Sequence, residues 1–148
     1  MKQRAANERG SAMVLAIGVM AVLAILAMVI VAVVVSEKKT ALADFSGTRS
    51  FYSADAASEA GVNWLRNQAI PPQIIDASNN VYLAPGFTAL SANNQYKYDI
   101  QYVSKRNRPG WSVEYKDYTY NVTATGGSAQ SSQSAISLGV TRLYREGY

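Results

Sequence analysis

The chain has 148 residues, a formal net charge of +4, and neither cysteine nor histidine. That length leaves room for about one small domain once a membrane segment is set aside. The missing residues remove thiolate and imidazole catalysis, disulfides and nearly all zinc sites.

The first feature in chain order is a junction. "NERGSAMVLAIGVMAVLAILAMVIVAVVV", residues 7–35, sets a charged, turn-prone tetrapeptide against an apolar run from Ala12 to Val35 that contains no charged residue. At 1.5 Å per residue this run makes about 36 Å of helix, enough to cross a hydrocarbon core of about 30 Å. A secretory signal core is shorter and ends at a small-residue cleavage site, so removal at the far end of the run is not expected. Lys2, Arg4 and Arg9 outnumber Lys38 and Lys39, which favours the amino end inside. Lys2, Arg4, Glu8 and Arg9 all lie before the run, so the part from Ser11 onward carries 11 basic and 9 acidic residues. A charge so near balance is weak support for a nucleic-acid partner.

No proline occurs between the apolar run and Pro71, so the spacing predicts that the same helix continues from Glu37 to about Gln68 and stops at "IPP", Ile70 to Pro72. Leu42, Phe45, Tyr52, Ala56, Val62 and Leu65 fall near one helical stripe and are expected to face a core. Asp55 and Glu59 lie four residues apart and could be imagined as an acid–base or metal pair. With no histidine and no third carboxylate at helical spacing, a solvated face is the expected reading.

From Asn94 the period changes to two. "QYKYDIQYV" places Tyr96, Tyr98, Ile100 and Tyr102 on one side of a strand. "WSVEYKDYTYNVTA" starts in the phase of Trp111, Val113 and Tyr115 and resumes in that of Tyr118, Tyr120 and Val122, which predicts a bulge near Lys116 and Asp117. "AISLGVTRLY" gives a third strand through Ile136, Leu138 and Val140. "SKRNRPG" is expected as a turn and "TGGSAQSSQS" as a flexible connector, with "VYLAPGF" as a fourth short strand. The predicted class is α+β, a long amino-terminal helix packed on a small antiparallel meander.

Lys105, Arg106 and Arg108 near Trp111 form a candidate basic surface loop, but three cations in one turn more often serve as solvated turn charge than as a nucleic-acid patch. The tyrosines suit an adhesive face and equally suit strand and core packing, the preferred reading. "NVT", Asn121 to Thr123, matches a glycosylation acceptor but falls mid-strand. "GGSAQSS" lacks the Lys-Ser/Thr of a phosphate loop, and no GxSxG is present, so an enzyme is not expected and no cofactor is assigned.

A short basic leader, Arg9-Gly10 before a small residue, and an apolar helix that runs into a soluble half resemble a bacterial type IV prepilin. "SEKKTALADFSGTRSFYSADAASEAGVNWL" is similar to the amino-terminal region of PilX-type minor pilins, with Phe51, Tyr52, Ala54, Asp55 and Ala56 in the places of the family's "AFYAAEAG" phrase and Asp where Glu is usual. The match covers about residues 8–65, and "RPGWS" and "TRLY" look like the family's later part. The resemblance implies that a prepilin peptidase cuts after Gly10 and methylates Ser11. Major pilins carry a glutamate five residues into the mature chain, thought to pair with the terminal amine of the subunit ahead; this chain has Leu15 there. It also has Ser11 where they begin with Phe, and no proline to mark a break in the span.

By that resemblance the chain is expected to be a non-catalytic minor pilin at the filament tip, held in the inner membrane before assembly. Its implied partners are other minor pilins, the major pilin and a tip adhesin. The divisions are residues 1–10 as leader, 11–36 as the transmembrane half of the helix, 37–69 as its soluble half and 70–148 as the antiparallel β domain. Two rivals stay open: a K-type pseudopilin of type II secretion, which shares leader and helix, and a bitopic envelope protein that is never processed at Gly10. A DNA-uptake pilin is a variant of the first reading that would use Lys105, Arg106 and Arg108.

Overall fold

The computed structural model describes residues 2–128 and 132–146, with side chains from Ser11 onward. One α-helix, α1 (Lys2–Asn67), is followed by five strands: β1 (Asn80–Tyr82), β2 (Thr88–Ser91), β3 (Asn94–Asn107), β4 (Tyr115–Ser128) and β5 (Gln133–Arg145). The chain divides into two compact units at Leu42 and Ala43. In the first, the helix carries its apolar side chains exposed on every side. In the second, the remainder of α1 packs on an antiparallel sheet of order β1-β3-β4-β5, with β2 also paired to β3.

The helix ends where its chemistry requires. Pro71 and Pro72 cannot supply the amide donors of another turn, and the Gln68 amide closes the last one by donating to the Leu65 carbonyl at 3.2 Å. The chain then folds back through a turn held by Asp76, whose carboxylate accepts from the Ser78 and Asn80 amides at 2.9 and 3.0 Å. Hydrogen bonds from Asn80, its side chain first, hold the Asp76 carboxyl below its ordinary pKa. Asn79 sits there at φ 61°, a conformation asparagine tolerates better than most residues.

The face that α1 turns to the sheet differs from the expected one. Buried are Ser46, Ser50, Ser53, Ala54, Ala57, Ser58 and Leu65, whereas Leu42, Phe45 and Tyr52 are exposed by 47%, 53% and 66%. Of the six stripe residues expected to face the core, Leu65 is fully buried and Ala56 and Val62 are half-buried. The cause is how closely the sheet approaches. A methyl group built on Gly126 of β4 would lie 2.2 Å from both the Ala54 nitrogen and the Ser50 oxygen, so helix backbone and strand backbone meet with no side chain between them. At Gly61 the corresponding group would lie 2.7 Å from Val122 Cγ1. Only short side chains fit such a contact, and their hydroxyls are satisfied as burial demands. Ser46 and Ser128 share a hydrogen bond of 2.7 Å, while Ser53 donates to the Arg49 carbonyl at 3.0 Å. Ser50 donates to the Gly47 carbonyl and so accepts from Ser134, at 2.8 Å.

Beyond this contact the core enlarges. Leu65, Val81, Ile100, Tyr120, Val122 and Tyr144 form its buried cluster, with Trp64, Tyr82, Tyr98, Tyr102 and Tyr118 packed against them. Trp64 meets Tyr82 at 5.0 Å between ring centroids and Tyr82 stacks on Tyr98 at 4.9 Å, so most of the tyrosines on the sheet are packing residues. Burial pushes the Tyr98 hydroxyl up to about 12, with the neighbouring Tyr82 hydroxyl adding to it.

The meander β3-β4-β5 matches the expected strand order, and Ile136, Leu138 and Val140 share the half-buried side of β5. Three local expectations are corrected. The irregularity lies in β3, at Val103 between the pairs Tyr102↔Tyr120 and Ser104↔Thr119, and the ladder runs unbroken through Lys116 and Asp117. Trp111 and Val113 belong to the turn before β4, which accounts for their different phase. Gly126, Gly127 and Ser128 are part of β4, where a strand pressed on a helix needs glycine, and Ala129 to Ser131 of the expected connector lie outside the described residues. "VYLAPGF" contributes only Val81 and Tyr82 to a strand, and β2 was not anticipated.

Gly126→Ala therefore places a methyl group inside helix backbone and is expected to lower stability by about 3 kcal/mol. Gly139→Ala, where nothing lies within 4 Å, should leave stability unchanged or slightly raised. Urea unfolding of the detergent-solubilised chain followed by tryptophan fluorescence separates the two.

Candidate functional site

Two regions carry the residues singled out in the sequence: the amino-terminal half of α1 and the end of the sheet at the β3–β4 turn. In the first, the Gly10–Ser11 junction lies inside a continuous helix that begins at Lys2, earlier than the expected start at Ala12. Ser11 and Leu15 are both exposed. Leu15 borders a shallow apolar groove with Gly18, Val19, Val22 and Leu23, opened by the missing side chain of Gly18. Among the described residues this is the one helix long and apolar enough to cross a membrane. No residue of its most apolar window is buried.

The phrase Phe51, Tyr52, Ala54, Asp55, Ala56 is divided by the helix. Ala54 is fully buried beneath Gly126, Ala56 is half-buried, and Phe51, Tyr52 and Asp55 point outward. Phe51 and Tyr52 meet edge to face at 6.2 Å, and the Arg49 guanidinium lies 4.2 Å from the Phe45 ring. Asp55 and Glu59 are both exposed, as a solvated face requires. No group of three or more acidic, histidine or cysteine side chains that could hold a metal ion occurs among the described residues.

At the far end of the sheet, Lys105 and Arg106 lie in β3 and only Arg108 lies in the turn, so the three do not form one loop. They are also largely neutralised. Lys105 pairs with Glu146, Arg108 approaches Asp117 at 3.7 Å and stacks on Trp111 at 5.0 Å, and only Arg106 of the three has no ion pair among the described residues. Glu146, not anticipated from the sequence, is the hub. It accepts from Lys105 and the Tyr118 hydroxyl and reaches Lys116 at 3.5 Å, while the adjacent Arg145 pairs with Glu114 at 3.0 Å. The Lys105 hydrogen bond first, then that of Tyr118, pulls the Glu146 carboxyl down to about 2, and the same contact raises Lys105. Such an arrangement fastens β5 to β3 across β4, and it leaves few cations for phosphates. The pairing joins residues 41 positions apart, which no local pattern in the sequence discloses.

The ionised Glu146 favours the folded chain, so its contribution is complete above the ordinary carboxyl value of 4.5 and disappears as pH falls towards 2. The unfolding midpoint of the native chain should therefore drop through that window. Glu146→Gln should flatten this acid limb, and added salt should weaken it, because both partners are partly exposed. Urea midpoints measured from pH 6 to 2 (about two Debye regimes, 0.05 and 0.5 M salt) test this.

Compared with protein-family models, with curated proteins and with solved structures, the chain matches none.

Proposed function

We propose that this chain is a non-catalytic minor pilin that waits in the inner membrane of a bacterium, is cut after Gly10, and then packs beside other minor pilins to prime a type IV pilus at its tip. The observation that carries the reading is a single helix with two environments. Its apolar half is bare on all sides, and its continuation is the spine of a small sheet domain. A subunit of that form can hold its domain outside the membrane while its bare half exchanges lipid for neighbouring helices. Small residues such as Ala16, Gly18, Ala21 and Ala24 favour close approach in lipid, where van der Waals contact drives association.

Leu15 supports a place at the tip. A carboxylate within hydrocarbon is expensive unless paired, and a subunit with none ahead of it has no terminal amine to offer as partner. The sheet domain supplies the surface that the other minor pilins, the major pilin and a tip adhesin would read. The neutralised cluster around Glu146 speaks against the DNA-uptake variant.

The test is the mass and sequence of the mature amino terminus, from cells with and without the prepilin peptidase. A peptidase-dependent, N-methylated Ser11 that Gly10→Ala abolishes is the expected result. A terminus at Met1 or Lys2 in both strains would overturn the reading in favour of an unprocessed bitopic anchor.

A further inference from the structure

We propose that the outer edge of β5 is a docking site that accepts an extended, uncharged segment of a partner polypeptide as an additional strand. β5 is at the end of the strand order, and its pairing with β4 is unbroken from Tyr115↔Arg145 to Gly127↔Gln133. The direction of its backbone groups follows from two hydrogen bonds that continue the same register: Glu146 N–H to the Glu114 carbonyl at 2.7 Å, and Ser128 N–H to the Ser132 carbonyl at 2.9 Å. Even-numbered residues of β5 therefore bond to β4. In an antiparallel ladder the alternate residues point away from that partner. Gln133, Ala135, Ser137, Gly139 and Thr141 thus present their amides and carbonyls outward, and among the described residues nothing hydrogen-bonds to them.

Exposed edges of this kind are ordinarily blunted by charge, proline, bulges or shortness. The opposite side of the sheet follows that rule: β1 and β2 have 3 and 4 residues, and Pro85 lies in the segment between them. From Gln133 to Thr141, β5 has no charged residue, no proline and no bulge. Its helix-side residues Ile136, Leu138 and Val140 are only half-buried, so a further strand with apolar side chains on that side would complete their cover. A strand-forming segment of alternating apolar and small polar residues fits both the backbone edge and this row.

The polarity of the chain decides between such a segment and a second copy. Two β5 edges paired antiparallel about a two-fold axis would reverse the direction of Ala43–Asn67 in the second molecule. The two chains would then lead to their apolar halves from opposite ends of the joined sheet, which two subunits anchored in one membrane cannot satisfy. This choice of occupant rests on the membrane-anchored reading; the open edge does not.

Amide hydrogen exchange of the full-length chain in detergent, with and without a blocked peptide of alternating threonine and valine about ten residues long, tests the proposal. The peptide should slow exchange at Ala135, Ser137, Gly139 and Thr141 by about tenfold or more, with β1 and β2 unaffected. Gly139→Pro removes one outward donor and none of the β4–β5 bonds, and should weaken peptide binding by about tenfold. Ala135→Pro has the same parity and serves if the first variant folds poorly, and the exchange experiment on the native sequence needs neither. Unchanged exchange at millimolar peptide would overturn the proposal, as would slowing that survives both prolines. Protection that appears without peptide and rises with protein concentration would assign the edge to a second copy instead. An unprotected edge beside a processed Ser11 would remove this docking site and leave the pilin reading standing.

Discussion

The contact on which the rest of the structure depends is the approach of β4 to α1 at Gly126. There the strand lies so close that a single methyl group would fall 2.2 Å from atoms of the helix backbone. That approach dictates a face of Ser46, Ser50, Ser53, Ala54 and Ala57 on the helix, since anything longer would hold the two elements apart. It also leaves Phe45 and Tyr52 on the outside, where they meet only the neighbouring Arg49 and Phe51 of the same helix among the described residues. Where the sheet diverges from the helix, the larger residues Leu65, Ile100 and Tyr120 fill the widening space. Serine is acceptable at the narrow end because each hydroxyl there has a partner, in the helix or across the interface.

Large features of the fold were legible because they rest on long patterns. A charge-free run from Ala12 to Val35 has few alternatives to a membrane-length helix, and the absence of proline before Pro71 leaves nothing to stop it. Alternation through Tyr98, Ile100 and Tyr102, and again through Ile136, Leu138 and Val140, marks strands with one covered face. The failures came where the sign of a residue depends on distance. Hydrophobic size pointed to Phe45 and Tyr52 as core, but the sheet is too near for them. The signal that would have found the true face was the recurrence of small residues at Ser46, Ser50, Ser53, Ala57 and Gly61 at helical spacing. Likewise "TGG" resembles a loop until one asks where a strand could need two glycines, and the answer is against a helix.

The candidate sites divide along the same line. Gly10, Ser11 and Leu15 are meaningful as positions in a linear sequence, so the sequence alone could nominate them. The basic residues could not be judged that way. Lys105 and Arg108 look like a patch in one dimension, yet folding carries Glu146, Lys116 and Asp117 to them and converts most of that charge into strand-to-strand ties. What stays uncommitted among the described residues is therefore less the charge than the bare apolar helix and the outward backbone groups of β5.

The central claim is that one helix is exposed to lipid on all sides in its first half and committed to a sheet through small residues in its second. The chain has no cysteine, so single cysteines can be placed one at a time from Met13 to Leu65 and spin-labelled in a bilayer. Oxygen accessibility read along that series is the most direct measurement. The account predicts high accessibility without helical periodicity through Val35, then a helical period with minima at positions 46, 50, 54, 57 and 61. A period already present within the apolar half, or minima at positions 45 and 52, would contradict it.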